Sequence, residues 1–417
     1  MRGAGAGETA ITPALELGID SFIQSFEITD QLLGDLDRVD VVRSRALRDT
    51  SEVFTEIRAL AELGLSYEGP HAKLGGRSYL SLGSDLWREG AALNLRVEDG
   101  ARTQRFDLRG EFEARQFREG SDFALGSDLT EARFRSGWRH RVAESLSLGV
   151  RGRVEWLDYA ERSEFELDRG RFETSTTARV ERGFDFFWDL EAGAGHSAVP
   201  DSTEIAFDRG FLISDLSARV ADRLRLGAYA VVDRRVYGDA AVRSATWNFL
   251  FEPELVWQTS RGGRIRAFVS CEWLDHDTAT DVYFDLLYGR TGVLFEMVRG
   301  AWTLGAEPRW SWLDSPDDVE DRYVQPSIAL KLDFFGAGRF WLSLSEELGR
   351  RDYVTVADPD LQLYSDYFFL RSTLLLSYEL HPRVRIDGFL SDEPESHQLV
   401  EDDSRLTLLN LSIRCSL

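Results

Sequence analysis

Arg133, Arg135, Arg139 and Arg141 recur at even spacing in one segment, so in an extended chain all four side chains leave from the same side. Arginines and carboxylates share one parity in neighbouring alternating segments as well. They are Arg109 with Glu111, Arg151 and Arg153 with Glu155, Asp189 with Glu191, Glu252 with Glu254, Arg264 and Arg266 with Glu272, Arg290 with Glu296, and Glu307 with Arg309. Guanidinium and carboxylate groups in this arrangement make and break no bonds by themselves. They create a field: a hydrated surface that attracts and sorts charged solutes, with the run of arginines as an anion-attracting stripe. The competing reading is that the two signs pair across neighbouring strands and only fill space.

Bond-making chemistry has little else to rest on. The histidines form no HExxH, there is no GxSxG and no phosphate-binding glycine loop, and His196 lies in GAGHSAV without a partner motif. Ser136 and His140 fall on the apolar parity of the arginine segment. No catalytic residue is named, and the chain reads as a non-enzyme. Acidic stretches occur at Asp275–Asp281 (DHDTATD), at Asp314–Asp321 (DSPDDVED), and at Asp392–Glu395 with Glu401, Asp402 and Asp403. Clustered carboxylates suit calcium, but none follows the DxDxDG pattern, so they read as solvated loops facing a cation-rich lipopolysaccharide layer. Cys271 and Cys415 have no metal or redox spacing and read as small apolar residues. No cofactor and no metal site is expected.

The elements that carry these charges are strands. In Leu146–Trp156, one parity reads Leu146, Leu148, Val150, Val154 and Trp156, and the other Ser147, Arg151, Arg153 and Glu155. Trp247, Phe249, Phe251, Leu255 and Trp257 oppose Asn248, Glu252 and Glu254 in the same way. Alternation persists over about 10 to 14 residues, roughly twice a soluble strand and enough to cross a bilayer at a tilt. Tight turns centre near 144, 184, 222, 261, 299, 337 and 382, spaced 38 to 45 residues apart, with two more at Gly69-Pro70 and Gly100-Ala101. Between them lie longer polar connections: Asp158–Gly170, His196–Arg209, Leu313–Asp321 and Ser391–Asp403.

Short and long connections that alternate around long two-faced strands predict an all-β protein. It is a transmembrane, antiparallel up-and-down β-barrel of about 18 strands (16 to 20), with short periplasmic turns and long acidic extracellular loops. Residues 1–51 are set apart as an N-terminal segment able to supply a first strand and a loop, and 52–417 as the barrel. Pro253, Pro308 and Pro326 interrupt good strand patterns, which predicts local bulges. Trp156, Trp188, Trp257, Trp273, Trp310 and Trp312 fall near strand ends, where interfacial girdles sit.

Composition agrees. The 417-residue chain has a net charge of −23, which excludes nucleic acid as a partner. Mean hydropathy is −0.28, and no apolar run reaches the roughly 18 residues of a helical span. Met1–Ala10 lacks the apolar core of a secretory leader, so the leader that a barrel needs is expected to have been removed or to lie upstream.

The final segment, Arg405–Leu417 (RLTLLNLSIRCSL), sets Leu409, Leu411, Ile413, Cys415 and Leu417 against Asn410, Ser412, Arg414 and Ser416. It resembles the closing strand of bacterial outer-membrane β-barrel proteins of the porin-like class, with Leu417 in place of the usual terminal aromatic residue. The resemblance implies a Gram-negative outer membrane, contact with lipid bilayer and lipopolysaccharide, and recognition of this strand by the barrel-assembly machinery. The function expected is a channel for passive or weakly selective passage of small hydrophilic solutes. One alternative is an export conduit or membrane scaffold for a polysaccharide or a periplasmic partner. Another is a soluble β-repeat protein such as a propeller, disfavoured because each period holds two long strands and not four short ones.

Overall fold

The computed structural model describes residues 8–28, 50–83, 86–117, 128–160, 167–200, 202–203, 205–239, 243–260, 262–278, 285–316, 322–336, 338–354, 365–398 and 403–416. Twenty strands account for most of them. The first ten are β1 (Glu8–Ile28), β2 (Thr50–Glu68), β3 (Ala72–Gly83), β4 (Leu86–Glu98), β5 (Gln104–Phe117), β6 (Leu129–Ala143), β7 (Leu146–Tyr159), β8 (Arg169–Arg182), β9 (Phe186–Ala198) and β10 (Phe207–Ala221). The rest are β11 (Leu224–Tyr237), β12 (Thr246–Gln258), β13 (Gly263–His276), β14 (Leu286–Arg299), β15 (Trp302–Asp314), β16 (Tyr323–Gly336), β17 (Phe340–Tyr353), β18 (Tyr367–His381), β19 (Val384–His397) and β20 (Ser404–Ser416).

Each strand pairs antiparallel with its sequence neighbours, and β1 pairs with both β2 and β20, so the sheet closes on itself. The ring has twenty strands where about eighteen were expected. Beyond the eighteen that flank the nine tight turns, β20 and β1 meet from Glu16 opposite Ser416 to Ile28 opposite Ser404. A propeller is excluded by this single continuous ladder. A strand of 14 residues such as β7 is about 46 Å long at 3.3 Å per residue, and at a tilt near 45° it rises about 33 Å, a bilayer core.

The turns sit where the sequence puts them, and they need what their residues supply. Gly183 and Gly300 have φ of 60° and 61°, a left-handed conformation that costs a residue with a Cβ. At the other end of the ring the connections are longer, at 160–168, 199–206, 277–285, 315–322 and 354–366, although β3 and β4 are separated only by 84–85.

Several expected connections prove to be strand. His196 is in β9, Arg209 in β10, Asp275 in β13, Asp314 in β15, and Asp392–Glu395 in β19. A polar residue on a hydrated sheet face pairs its backbone as well as an apolar one does, so polarity alone does not end a strand. Residues 279–281 and 317–321, Glu401, Asp402, Leu417 and most of the charged stretch 29–51 lie outside the described residues.

The predicted proline bulges are also corrected. Pairing of β12 with β13 lapses between Phe251–Cys271 and Glu254–Phe268, yet the register is the same on both sides. The ladder lapses without slipping at Pro308 and Pro326 too, and at Pro394. Proline lacks one donor, and the strand on its other side pairs through without a break. True register shifts occur instead beside tight turns, at Arg141/Ala143, Arg219/Ala221 and Glu379/His381.

Burial is inverted relative to a soluble protein. Among the described residues only Val199, Tyr237, Tyr367 and Phe369 are buried hydrophobics, whereas Glu155, Asp233, Glu307 and Asp333 are buried. Large apolar side chains stand exposed along one parity, including Trp156, Trp188, Trp257, Trp273 and Trp310. Trp312 lies flat over Gly289, where any Cβ would meet its ring.

Candidate functional site

The charged parity forms one polar face, and strand register decides which groups meet on it. On β5, β6 and β7, Glu111 lies opposite Arg133, and Arg133 opposite Glu155. Arg133 pairs with Glu131 at 2.5 Å and with Glu155 at 3.2 Å, Arg153 reaches Glu155 at 3.0 Å, and Arg109 pairs with Glu111. Two residues toward the turn end, Arg109, Arg135 and Arg153 stand directly abreast. Like charges opposite one another repel, and the Arg135 side chain has no hydrogen bond or ion pair among the described residues.

Apart from Arg139 and Arg141, the remaining candidates are paired. Arg151 bonds Glu191, which also accepts from the Ser175 hydroxyl at 2.5 Å, and Arg179 holds Asp189 at 2.6 Å. Arg266 meets Glu254 at 2.7 Å, Arg264 meets Glu296 at 3.0 Å, Ser270 donates to Glu252 at 2.9 Å, and Asn248 donates to Glu272 at 2.8 Å. Arg309 bridges Glu307 and Glu347, the latter at 3.1 Å, with Arg290 3.8 Å from Glu307.

Arg139 and Arg141 join Arg135 in having no such side-chain partner among the described residues. Of the four-arginine stripe, then, adjacent carboxylates neutralise Arg133 and leave three. A cavity of about 740 Å³ lies over this sector, lined by Lys73, Arg96, Arg105, Arg109, Arg135 and Arg139 among others, with Glu68 and Asp107 as its acids.

Two groupings escaped the sequence. Arg209 links Glu173 at 2.7 Å with Asp233, and Arg171 joins Glu173 at 2.6 Å. Arg209 closes a connection, His196–Arg209, that reads as loop, and the Arg209–Glu173 bond skips β9, so no local spacing encodes it. At the loop end of β16–β18, the Arg351 guanidinium lies 4.2 Å from the Tyr323 ring, 5.4 Å from Tyr367 and 6.0 Å from Tyr353, and donates to Gln325 at 2.8 Å. His397 stacks on Tyr367 at 4.6 Å. The alternation of each strand was the available signal, but it does not say which strands bring their ends together.

No protein-family model matches the chain, and no curated protein matches it in sequence. Solved structures do. OpdQ of Pseudomonas aeruginosa is similar at 9% identity with a TM-score of 0.50, over 98% of each chain. The copper transporter OprC is similar at 9% identity with a TM-score of 0.55, over 96% of this chain and 80% of its own. The ferric yersiniabactin uptake receptor FyuA of Yersinia pestis is similar at 8% identity with a TM-score of 0.50, over 97% of this chain and 80% of its own. These neighbours are bacterial outer-membrane β-barrel proteins, and the chain has their fold.

Proposed function

We propose that the protein is an outer-membrane channel for small hydrophilic solutes, and that its polar face lines the lumen and favours anions. The observation that carries this reading is the file of arginines without a side-chain partner among the described residues, Arg135, Arg139 and Arg141, the first two of which line a cavity of about 740 Å³. Hydrogen bonds on this face reach across an intervening strand, from Arg151 in β7 to Glu191 in β9 and from Arg309 in β15 to Glu347 in β17. Side chains converge that way on a concave surface, which supports an inward polar face.

Size supports a conduit. Strand side chains fill a barrel of about 8 strands, whereas rings of about 16 or more enclose space that the wall cannot fill. Twenty strands fall in the second class. In the same reading the short turns face the periplasm, the acidic loops face lipopolysaccharide, and the β20 end is what the assembly machinery recognises. Two of the similar structures are named for transport and uptake, which agrees with passage and not with catalysis.

Single-channel recording of the refolded full chain in a planar bilayer tests the proposal. Ohmic steps that admit chloride more readily than potassium are expected. A correctly folded, inserted barrel without conductance would leave the fold intact and overturn the channel.

A further inference from the structure

The cavity of about 740 Å³ over β2 to β7 is lined by seven basic side chains and two acidic ones, in a chain whose net charge is −23. The bonds within the wall do not cancel that excess. Glu68 takes Lys73, Glu111 takes Arg109, and Glu191 takes Arg151. Asp107 is shared by Arg96 at 2.9 Å and Arg105 at 2.6 Å, so one carboxylate answers two guanidiniums. Arg135 and Arg139 have no hydrogen bond or ion pair among the described residues. Even with Glu98, which stands opposite Arg105 without bonding it, about two positive charges of this cavity are unmatched.

Register sorts these groups into two rungs. Arg105 is opposite Arg139, and Arg109 is opposite Arg135. The rungs are four residues apart, about 13 Å along the strand. Between them Asp107 is opposite Gly137, and Gly137 is opposite Arg151. Gly137 puts no side chain into the gap, and a Cβ there would meet nothing closer than 3.9 Å. Each rung therefore offers one guanidinium free of carboxylate, with open floor between the two. A guanidinium is a planar fork that grips a carboxylate or phosphate through two parallel hydrogen bonds.

A second kind of group lines the same cavity. The rung of Arg109 and Arg135 continues through Asn94 and Gly75 to Ser66. The Asn94 amide and the Ser66 hydroxyl face the cavity and make no hydrogen bond among the described residues. Both exchange hydrogen bonds readily with a hydroxyl group.

We infer that this cavity is a saturable binding site for a small polyhydroxylated solute with an oxyanion at each end, the shared chemistry of sugar diacids and sugar bisphosphates. One end seats on Arg139 and Arg105 and the other on Arg135 and Arg109, with the hydroxyl groups toward Asn94 and Ser66. A solute charged at one end leaves the other rung unanswered. The volume suits such a ligand, since small-molecule sites run from about 300 to 1,000 Å³. The inference rests on the inward polar face proposed above and names what the face selects.

Equilibrium binding tests it apart from conduction. Ligands are titrated by calorimetry into the full-length protein in lipid nanodiscs: glucarate against gluconate, and fructose 1,6-bisphosphate against fructose 6-phosphate. Adipate supplies two charged ends without hydroxyls. One-to-one binding of glucarate or the bisphosphate is expected, about tenfold tighter than its one-ended counterpart and tighter than adipate. The tighter of the two names the oxyanion. Arg135→Gln and Arg139→Gln should each reduce the two-ended ligand to the affinity of the one-ended one, whereas Arg350→Gln, on the apolar parity of β17, should leave the difference intact. Absence of saturable binding by both two-ended ligands, one-ended ligands or adipate bound as tightly, or an Arg139→Gln protein that keeps the tenfold difference would each overturn the inference. Chloride conductance without such binding would remove this site and leave the channel standing, and binding by a barrel that does not conduct would do the reverse.

Discussion

Replacing Arg135, Arg139 and Arg141 together by glutamine should reduce the preference for chloride over potassium about threefold at 0.1 M salt. An ion passing about 7 Å from one guanidinium in water feels about 0.6 kcal/mol, which screening over a Debye length of about 10 Å halves to about 0.3. Chloride loses that attraction and potassium loses an equal repulsion, so each neutralised charge is worth about 0.6 kcal/mol in the permeability ratio, or a factor of about three. The three residues span seven positions of β6 (Leu129–Ala143), about 20 Å of strand, so a passing ion meets them in succession and their effects do not multiply.

Reversal potentials across a potassium chloride gradient in a planar bilayer measure the ratio. At about 1 M salt the Debye length falls to about 3 Å, and the variant and the parent protein should converge. Arg350 is the control. It is an arginine on the apolar parity, held near Asp352 and 3.4 Å from Asp366, and its glutamine variant should leave the ratio unchanged. A triple variant with the parental ratio at low salt, or a shift that survives undiminished at high salt, would refute the electrostatic assignment.

Gly349→Val should lower thermal stability by about 1 to 3 kcal/mol, because the Phe369 ring lies 2.4 Å from where its Cβ would stand and is itself buried. Gly110→Ala, which meets nothing within 4 Å, should melt as the parent does, and equal melting of the two variants by circular dichroism would contradict the packing argument. In the β4–β5 turn, the Gln104 backbone N–H at 2.9 Å and the Thr103 hydroxyl at 2.5 Å hold the Asp99 carboxyl below its usual range. A depressed carboxylate stabilises fully above its unfolded value and loses its contribution as pH falls through the folded one. Hydrogen exchange at the Gln104 amide should therefore stay protected from pH 7 to about 5 and open only below about 4, and loss of protection already at pH 5 would count against the turn.

Hairpin register was legible from the turns. A tight turn centred at 144 sets residues whose numbers sum to 288 opposite one another, and Arg135 with Arg153 obeys that rule, as does Arg133 with Glu155. What the turns do not encode is curvature. The Arg209–Glu173 bond and the Arg351–tyrosine cluster exist because a closed sheet gathers side chains from strands that are not sequence neighbours. Strand ends were misjudged for a related reason: Asp392–Glu395 and Arg209 are polar, and polarity reads as loop until the far face is known to be wet. Glu346 is the reverse case: it sits mid-strand in β17 on the parity of Leu344 and Leu348, and its depth shows only when Leu348 and Phe368 are placed beyond it toward the loop end.

On the proposed channel reading, pairing and conduction would divide the polar face between them by position around the ring. On β8 to β11 the bonds of Arg209 and Arg179 brace the wall across strands, and such pairs can sit in a crowded, partly dry interior. The row of Arg109, Arg135 and Arg153 cannot. At a strand spacing of about 4.8 Å, neighbouring unit charges repel by about 0.9 kcal/mol in water and about four times that at an effective dielectric of 20. Glu111 and Glu155 relieve the outer two arginines, but Arg135 keeps its full charge, and water with mobile anions is what remains to screen it. A wet β5–β7 sector therefore suits this strand register better than a filled one, which supports the proposed channel on that side of the ring.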